Sequence, residues 1–339
     1  MRFEFYHSGL DEIPKLSVDG TVSNSVHFSH WEGNETAAEL KADTSTEIAL
    51  NLVAAPNRDE LTRGIDLVTN NHFDTDGVLS VWTVLTGERA LQLREQLIPA
   101  AEAGDFSEFK SEAAVRASIV IQGSDQPSPD DEAGSPIASN LAGQPVDDDA
   151  RAYELVLPEV ERILMRTDEY EHLWRSAWDR IASALESFER GDSKVEEFPD
   201  GNLSLVTLAP DVFSPSGFNP TRHAAPYTAI SHYARGQLFL ITTPLNGGWV
   251  YRVDYPYYSW AETVVRPRIK RRDFSQLLAQ LNQLESGGGV WKLDKGEMTS
   301  AIKFLGSDGK LAASSLPPDE VASLFRTAVP MKPSARGAG

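Results

Sequence analysis

The sequence predicts an α/β protein of two domains. A mostly parallel sheet flanked by helices comes first, a helical insertion follows, and a smaller mixed α+β domain ends the chain. Three observations predict this. The 339 residues exceed what one domain usually holds. A short strand, Ile65-Asp66-Leu67-Val68-Thr69, passes through a polar loop into a helical stretch from Val78, the order of a strand–helix unit. Charge is also unevenly divided. Residues 1–116 hold 20 acids and 9 bases, 117–150 hold 7 acids and no base, and 151–196 hold 11 acids and 7 bases. Residues 197–339 reverse the balance, with 12 acids and 15 bases. Such asymmetry suggests units with different roles.

Each element has its own warrant. Within 1–116, Val78 to about Ala103 reads as a helix or helical pair. From Gln122 to Ala150 the chain is mostly Ser, Pro, Gly, Asp and Ala, so 117–150 reads as an acidic flexible loop. In 151–196, Trp174, Trp178, Ile181, Leu185 and Phe188 recur at helical spacing, and the tryptophans read as core. In 197–330, Leu203–Leu208 and Gln237–Thr243 are strand-like. Asn246-Gly247-Gly248 signals a hairpin turn into Trp249–Asp254. Phe274, Leu277, Leu278, Leu281 and Leu284 give a helix, with Asp273 placed to cap it and Gly287-Gly288-Gly289 to end it. Strands are expected around Val290–Leu293 and Ala301–Leu305, and 331–339 reads as a frayed tail.

Composition excludes several classes. Hydrophobic residues, at 41%, suffice for packed cores. With no cysteine there are no disulfides, thiolate metal sites or thiol catalysis. A net charge of −19 opposes coating of duplex DNA, where Lys and Arg must neutralise phosphates. No apolar leader or membrane-length apolar run is present, so a cytoplasmic location is expected and the sequons at Asn34 and Asn202 are read as chance. Phosphate-loop, dinucleotide, zincin and nucleophile-elbow motifs are absent. His172, His223 and Ser231-His232 read as ordinary surface or core residues.

The most informative stretch is Asn70-Asn71-His72-Phe73-Asp74-Thr75-Asp76-Gly77-Val78-Leu79-Ser80, between a strand and a helix. Such loops lie at the carboxyl edge of a parallel sheet, where ligands bind. His72, Asp74 and Asp76 alternate, so an extended backbone puts them on one side. An imidazole with two carboxylates suits Mn²⁺ or Mg²⁺. Gly77 permits the sharp turn, and the helix N-terminus behind it favours a phosphate. A calcium-binding EF-hand is excluded, because its closing acid position is Leu85. A capping turn without metal stays open.

His72-Phe73-Asp74-Thr75-Asp76-Gly77-Val78-Leu79-Ser80 resembles the first motif of the DHH phosphoesterase superfamily, His-aromatic-Asp-x-Asp-Gly-aliphatic-x-Ser. The resemblance implies that His72, Asp74 and Asp76 bind catalytic Mn²⁺. No Asp-His-His is present. The nearest match precedes the first motif, at Val26-His27-Phe28-Ser29-His30-Trp31-Glu32-Gly33-Asn34, and continues through Asp43, Ser45 and Thr46. The resemblance thus implies a circularly permuted domain, with His30 and Asp43 as further metal ligands and Asn34 near the substrate. Ser29 and Trp31 replace the outer Asp and second His, which points to one metal or an altered site. His27 is a further candidate ligand or a structural residue.

The C-terminal part resembles the DHH-associated domain, whose Gly-Gly-Gly-His loop holds substrate. Here Gly287, Gly288 and Gly289 precede Val290-Trp291, and Trp291 is open to base stacking or to a core role. Arg266, Arg268, Lys270, Arg271 and Arg272 crowd seven residues. An extended backbone would align Arg266, Arg268 and Lys270 for phosphate oxygens, or they guard an edge strand.

The combined expectation is a metal-dependent hydrolase of phosphate esters or anhydrides using Mn²⁺ or Mg²⁺. His30, Asp74 and Asp76 would serve catalysis, and Arg266, Arg268 and Arg271 would grip substrate. The substrate would be a small phosphorylated molecule or a short single-stranded nucleic acid. The alternative is a non-catalytic nucleotide-binding or sensing protein, and a third reading makes the acidic loop a partner-recruiting segment.

Overall fold

Four short strands begin the first unit: β1 (Arg2–Phe3), β2 (Lys15–Val18), β3 (Ser25–Phe28) and β4 (Leu67–Thr69). They form one sheet in the order β1-β4-β2-β3, and every pairing is parallel. The computed structural model describes residues 1–123, 134–210, 227–294 and 299–328. It divides into two compact units, Met1–Ile181 with Trp260–Arg268, and Ala182–Ser259 with Ile269–Gly339.

Parallel neighbours usually need a crossover of a dozen or more residues. β2 and β3 manage with residues 19–24, because Asp19 (φ 62°) and Asn24 (φ 49°) both adopt the left-handed conformation. β2 is buried throughout, as expected of a strand covered on both faces. That includes Lys15, whose ammonium donates to the carbonyls of Leu10, Ile13 and Asn24.

Helices Ser45–Ala54 and Thr75–Thr86 pack on each other, with Arg94–Phe106 against both. Thr44 and Asp74 cap the first two, accepting from Glu47 N and Gly77 N. The phosphate expected at the Thr75 helix N-terminus finds that position filled by Asp74, and by Gln122, which accepts from Thr75 N.

The stretch expected as a loop, 117–150, is helical in much of its described part. Glu112–Gln122 runs into it, Pro136–Ala142 lies within it and Asp149–Val156 begins at its end. Ile119, Val120, Ile121, Ile137 and Ala138 are buried, and burial of this apolar minority overrides the acidic composition. The middle of that stretch, 124–133, lies outside the described residues, as do His223 and the expected tail, 331–339.

The helical insertion is present, ending in the helix Glu171–Arg190. Trp174, Trp178 and Ile181 are buried as expected, and Arg116 lies over both tryptophan rings at 4.3 and 4.7 Å.

The second unit is a mixed sheet in the order β5-β6-β7-β8-β10-β9. Its strands are β5 (Lys194–Phe198), β6 (Leu203–Thr207), β7 (Leu238–Leu245), β8 (Gly248–Asp254), β9 (Gly289–Leu293) and β10 (Ser300–Gly306). Asn246 and Gly247, both at positive φ, turn β7 into β8 as the sequence signals. Alternation divides the core. Leu203, Leu205, Leu238 and Leu240 face the helices Ser275–Leu284 and Pro318–Ala328, while Val206, Phe239 and Ile241 face the helix Tyr227–Tyr233.

Trp291 is 2% exposed, packed between Tyr251 and Phe304, and donates from its indole to Glu285. It is a core residue, not a stacking platform. Among the glycines, Gly289 is fixed by space: a Cβ there would stand 2.5 Å from the Phe304 ring. Val264–Arg268 joins neither sheet, so the expected face of aligned bases does not form. No helix among the described residues is long and apolar enough to cross a membrane.

Candidate metal centre

The site gathers where strands β2, β3 and β4 end. Asp19 directly follows β2, His30 comes two residues after β3, and His72, Asp74 and Asp76 follow β4. Parallel strands deliver their carboxyl ends to one edge, so three separate stretches of sequence meet there. Asp105 arrives from the last turn of Arg94–Phe106.

Six side chains form two donor groups. Asp19, His30, Asp76 and Asp105 make one, and Asp19, His72 and Asp74 make the other, with ligand atoms within 4.8 Å of one another in each. Asp19 belongs to both. Its Oδ1 stands 3.4 Å from His30 Nε2, and its Oδ2 stands 2.8 Å from His72 Nε2. His30 Nε2 is also 3.1 Å from Asp105 Oδ2, and His72 Nε2 is 3.3 Å from Asp74 Oδ2. The first group is sealed, whereas His72 and Asp74 keep 29% and 22% of their side chains exposed. The second group is thus the open side.

Both imidazoles are aimed. His30 Nδ1 lies 2.7 Å from the Asp43 carbonyl, and His72 Nδ1 lies 3.0 Å from Asn71 Oδ1. A carbonyl only accepts, so His30 carries a proton on Nδ1 and turns Nε2 inward. The same arrangement follows for His72 with its amide oxygen. Metal-binding histidines are oriented in this way. Asp76 accepts from Ser45 N at 2.6 Å and Thr46 N at 2.7 Å, at the start of a helix whose dipole favours its charge. Asp74 caps its helix through Oδ1 and turns Oδ2 to His72, so the capping turn and the donor role coexist.

Asp19 is held in place from below. Asn70 accepts from Gly20 N and donates to the buried Tyr153 hydroxyl. Gly20 is closely approached, since a Cβ would stand 2.8 Å from Oδ1 of the buried Asn70 and 2.0 Å from Asn71 Oδ1. The left-handed φ of Asp19 is a strained conformation for a non-glycine residue, of the kind that collects at functional sites.

Electrostatics test whether these residues fit a cation. Burial raises the Asp105 carboxyl well above the ordinary range, and the charges of Asp74 and Asp76 add to this. Burial and the Asp19 charge push Asp76 up to about 7. Burial opposes the charge of Asp19 too, but the two imidazoles outweigh it and hold that carboxyl below its ordinary range. Burial lowers His30 and His72, and the surrounding carboxylates reverse the sign and raise both well above the usual imidazole value. Asp19 Oδ2, Asp105 Oδ1, His30 Nε2 and His72 Nε2 are all buried without a well-formed hydrogen bond. Four carboxylates against two imidazoles, with four of their buried polar atoms lacking a well-formed hydrogen bond, fit a hard divalent cation.

A pH dependence follows for metal-free protein. Asp76 stays protonated in the folded state up to about 7, while the unfolded chain ionises near 3.8. The folded state therefore binds more protons in that window, and stability falls as pH rises through it. The raised histidines extend the fall above 6.5. Thermal melts in chelator should show a lower midpoint at pH 7.5 than at pH 5.5. Added Mn²⁺ should reverse the trend, because metal competes with protons for the same atoms. Identical pH profiles with and without metal would count against the site.

The other expected residues are not among these donors. Asp43 is not a donor. Its carboxylate accepts from the backbone N–H groups of Val264, Val265 and Arg266, which turn around it, and from the Arg266 guanidinium. Asn34 donates to the Trp31 carbonyl and Glu262 and accepts from Thr36 N, a loop-bracing role. His27 accepts from Glu35 N. Arg268 is 79% exposed, 3.8 Å from Glu32. Arg271 and Gly287–Gly289 belong to the second unit. There Arg271 lies over the Tyr255 ring at 4.4 Å, and Gly287 N donates to Glu285. Sequence reasoning missed Asp19 and Asp105. The available signal for Asp19 was Val18-Asp19-Gly20, an acid and a glycine directly after an apolar strand.

The solved structure of a pGpG-specific phosphodiesterase, PggH from Vibrio cholerae, aligns with 93% of this chain and 98% of its own at 11% identity, with a TM-score of 0.37. At that score the likeness carries no inference about fold or chemistry. No curated protein matches the sequence. A family model matches residues 2–331, and the chain belongs to that family, DUF6687, described as a family of unknown function.

Proposed function

We propose that the chain is a metal-dependent hydrolase of phosphate esters or anhydrides. Its substrate would be a small phosphorylated molecule: a nucleotide, a cyclic nucleotide or a short single-stranded oligonucleotide. The observation that carries this reading is the pair of donor groups sharing Asp19 at the carboxyl edge of a parallel sheet. The resemblance of residues 72–80 to the first DHH phosphoesterase motif supports it.

Mn²⁺ or Mg²⁺ bound there would supply Lewis acidity for phosphoryl oxygens and a water acidic enough to ionise near neutral pH. The four carboxylates would balance the charge of two divalent cations. Asp19 offers one oxygen to each group. His30, Asp76 and Asp105 hold the sealed side rigidly, anchored by the Asp43 carbonyl and the Ser45 and Thr46 amides. His72 and Asp74 stand on the open side, where a phosphate can arrive.

The test is turnover of a phosphodiester and nucleotide panel with Mn²⁺, by wild type and by Asp74→Asn. Asn caps helices as well as Asp, so the fold is retained while a donor charge is lost. Hydrolysis should fall at least ~100-fold, more than outer-shell changes usually cost. Equal rates would overturn the assignment. Metal uptake with no turnover of any substrate would favour the non-catalytic nucleotide-binding alternative.

A further inference from the structure

Arg266 reaches three carboxylates at once, all within the first unit. Its Nε and Nη2 donate to the two oxygens of Glu108, each at 2.7 Å. Its Nη1 donates to Asp43 Oδ2 at 2.7 Å, and Nη2 also donates to Glu102 Oε1 at 2.5 Å. The guanidinium lies 4.8 Å over the Phe106 ring, and the side chain is 12% exposed. Each of its three nitrogens already donates, so it is not free to grip a phosphate as the sequence suggests. Only a planar fork makes these bonds together, since a lysine offers a single point charge.

Two of these contacts stand directly behind metal-site donors. Asp43 presents the carbonyl that fixes His30 Nδ1. Glu102 and Phe106 flank Asp105 in the last turn of its helix. His30 and Asp105 meet in the sealed donor group at 3.1 Å, approaching from those two elements.

We infer that Arg266 is a positioning residue for the metal centre. It clamps the Asp43 loop to the end of the Arg94–Phe106 helix and so sets the separation and orientation of His30 and Asp105. This rests on the metal site proposed above. Loss of an outer-shell partner typically costs ~10–100-fold in metal affinity.

The test uses the full chain, with Arg266→Gln and Arg266→Lys. In metal-free protein, NMR of the imidazoles should show one sharp His30 Nδ1–H signal in wild type, held by the Asp43 carbonyl in either charge state of the ring. Arg266→Gln should broaden or mix that signal. Calorimetry with Mn²⁺ should show ~10–100-fold weaker binding for Arg266→Gln, with Arg266→Lys in between because it keeps the charge without the fork. A folded Arg266→Gln with wild-type His30 spectrum and Mn²⁺ affinity would overturn the inference.

If Arg266→Gln does not fold, single-arm variants decide. Asp43→Asn should disturb the His30 Nδ1–H signal, and Glu102→Gln should weaken Mn²⁺ binding while sparing it. Wild-type behaviour in both would overturn the inference equally. If wild type takes up no Mn²⁺, the metal reading fails, and the Nδ1–H comparison still decides whether Arg266 positions His30.

Discussion

Asp19→Asn should abolish Mn²⁺ uptake and hydrolysis together. Asp19 is the one side chain common to both donor groups, with one oxygen in each. Asparagine has the same shape, so packing is preserved, and Ser45 Oγ, which donates to Asp19 Oδ1, keeps an acceptor. The charge is lost, and an amide nitrogen cannot replace the second oxygen as a ligand. Affinity should fall by more than ~100-fold, or about 2.8 kcal/mol at 1.4 kcal/mol per decade. Asp66→Asn is the matched control, since Asp66 is exposed and away from both groups. Calorimetry and a turnover assay on the two variants check this. Metal binding by Asp19→Asn equal to that of the control would remove the shared-ligand account.

The second large effect is stabilisation by metal. Without a cation, buried carboxylates face one another across the site, and such charge is costly unless compensated. A cation that binds only the folded state at 100 times its dissociation constant adds ~2.7 kcal/mol. For a unit of 150–250 residues each kcal/mol moves the midpoint by ~2–4 °C, so a rise of ~5–10 °C is expected. Differential scanning calorimetry with Mn²⁺, then with excess chelator, measures it. The rise should vanish in Asp19→Asn and persist in Asp66→Asn. A wild-type midpoint unmoved by millimolar Mn²⁺ and Mg²⁺ would rule out a resident divalent cation.

Much of the centre was legible in residue order. His72 and Asp74 share one donor group, whereas Asp76 falls in the other with His30, because the helix starting at Thr75 ends the extended run that alternation assumes. Asp43 was drawn to the same place by its position in the stretch that resembles the DHH pattern. Its backbone does serve His30, but its carboxylate turns away to the amides of 264–266. Spacing reveals nearness along the chain, not which group of a residue faces inward.

Asp19 and Asp105 were hidden for different reasons. Asp19 lies in a six-residue crossover that depends on left-handed conformations at both Asp19 and Asn24, so it reads as a turn. Asp105 ends an alanine-rich helix, and its burial depends on neighbours distant in sequence. The same limit governed 117–150, where composition suggested a loop and packing made helices. Arg266 is the converse case. It stood out as part of a basic run, but three acids at positions 43, 102 and 108 fold around it and withdraw it from solvent.

By itself, the sequence determined the α/β class, one strand–helix pair of the first unit, most strands and one helix of the second, and the histidine–carboxylate motif. Those properties follow from local periodicity and turn chemistry, which act over a few residues. Only the tertiary structure decided that two further aspartates complete the centre, that one of them is shared, and that Arg266 stands behind it. Those follow from the convergence of parallel strand ends and a distant helix terminus at one buried point, and no local pattern encodes a meeting of residues 19, 30, 76 and 105.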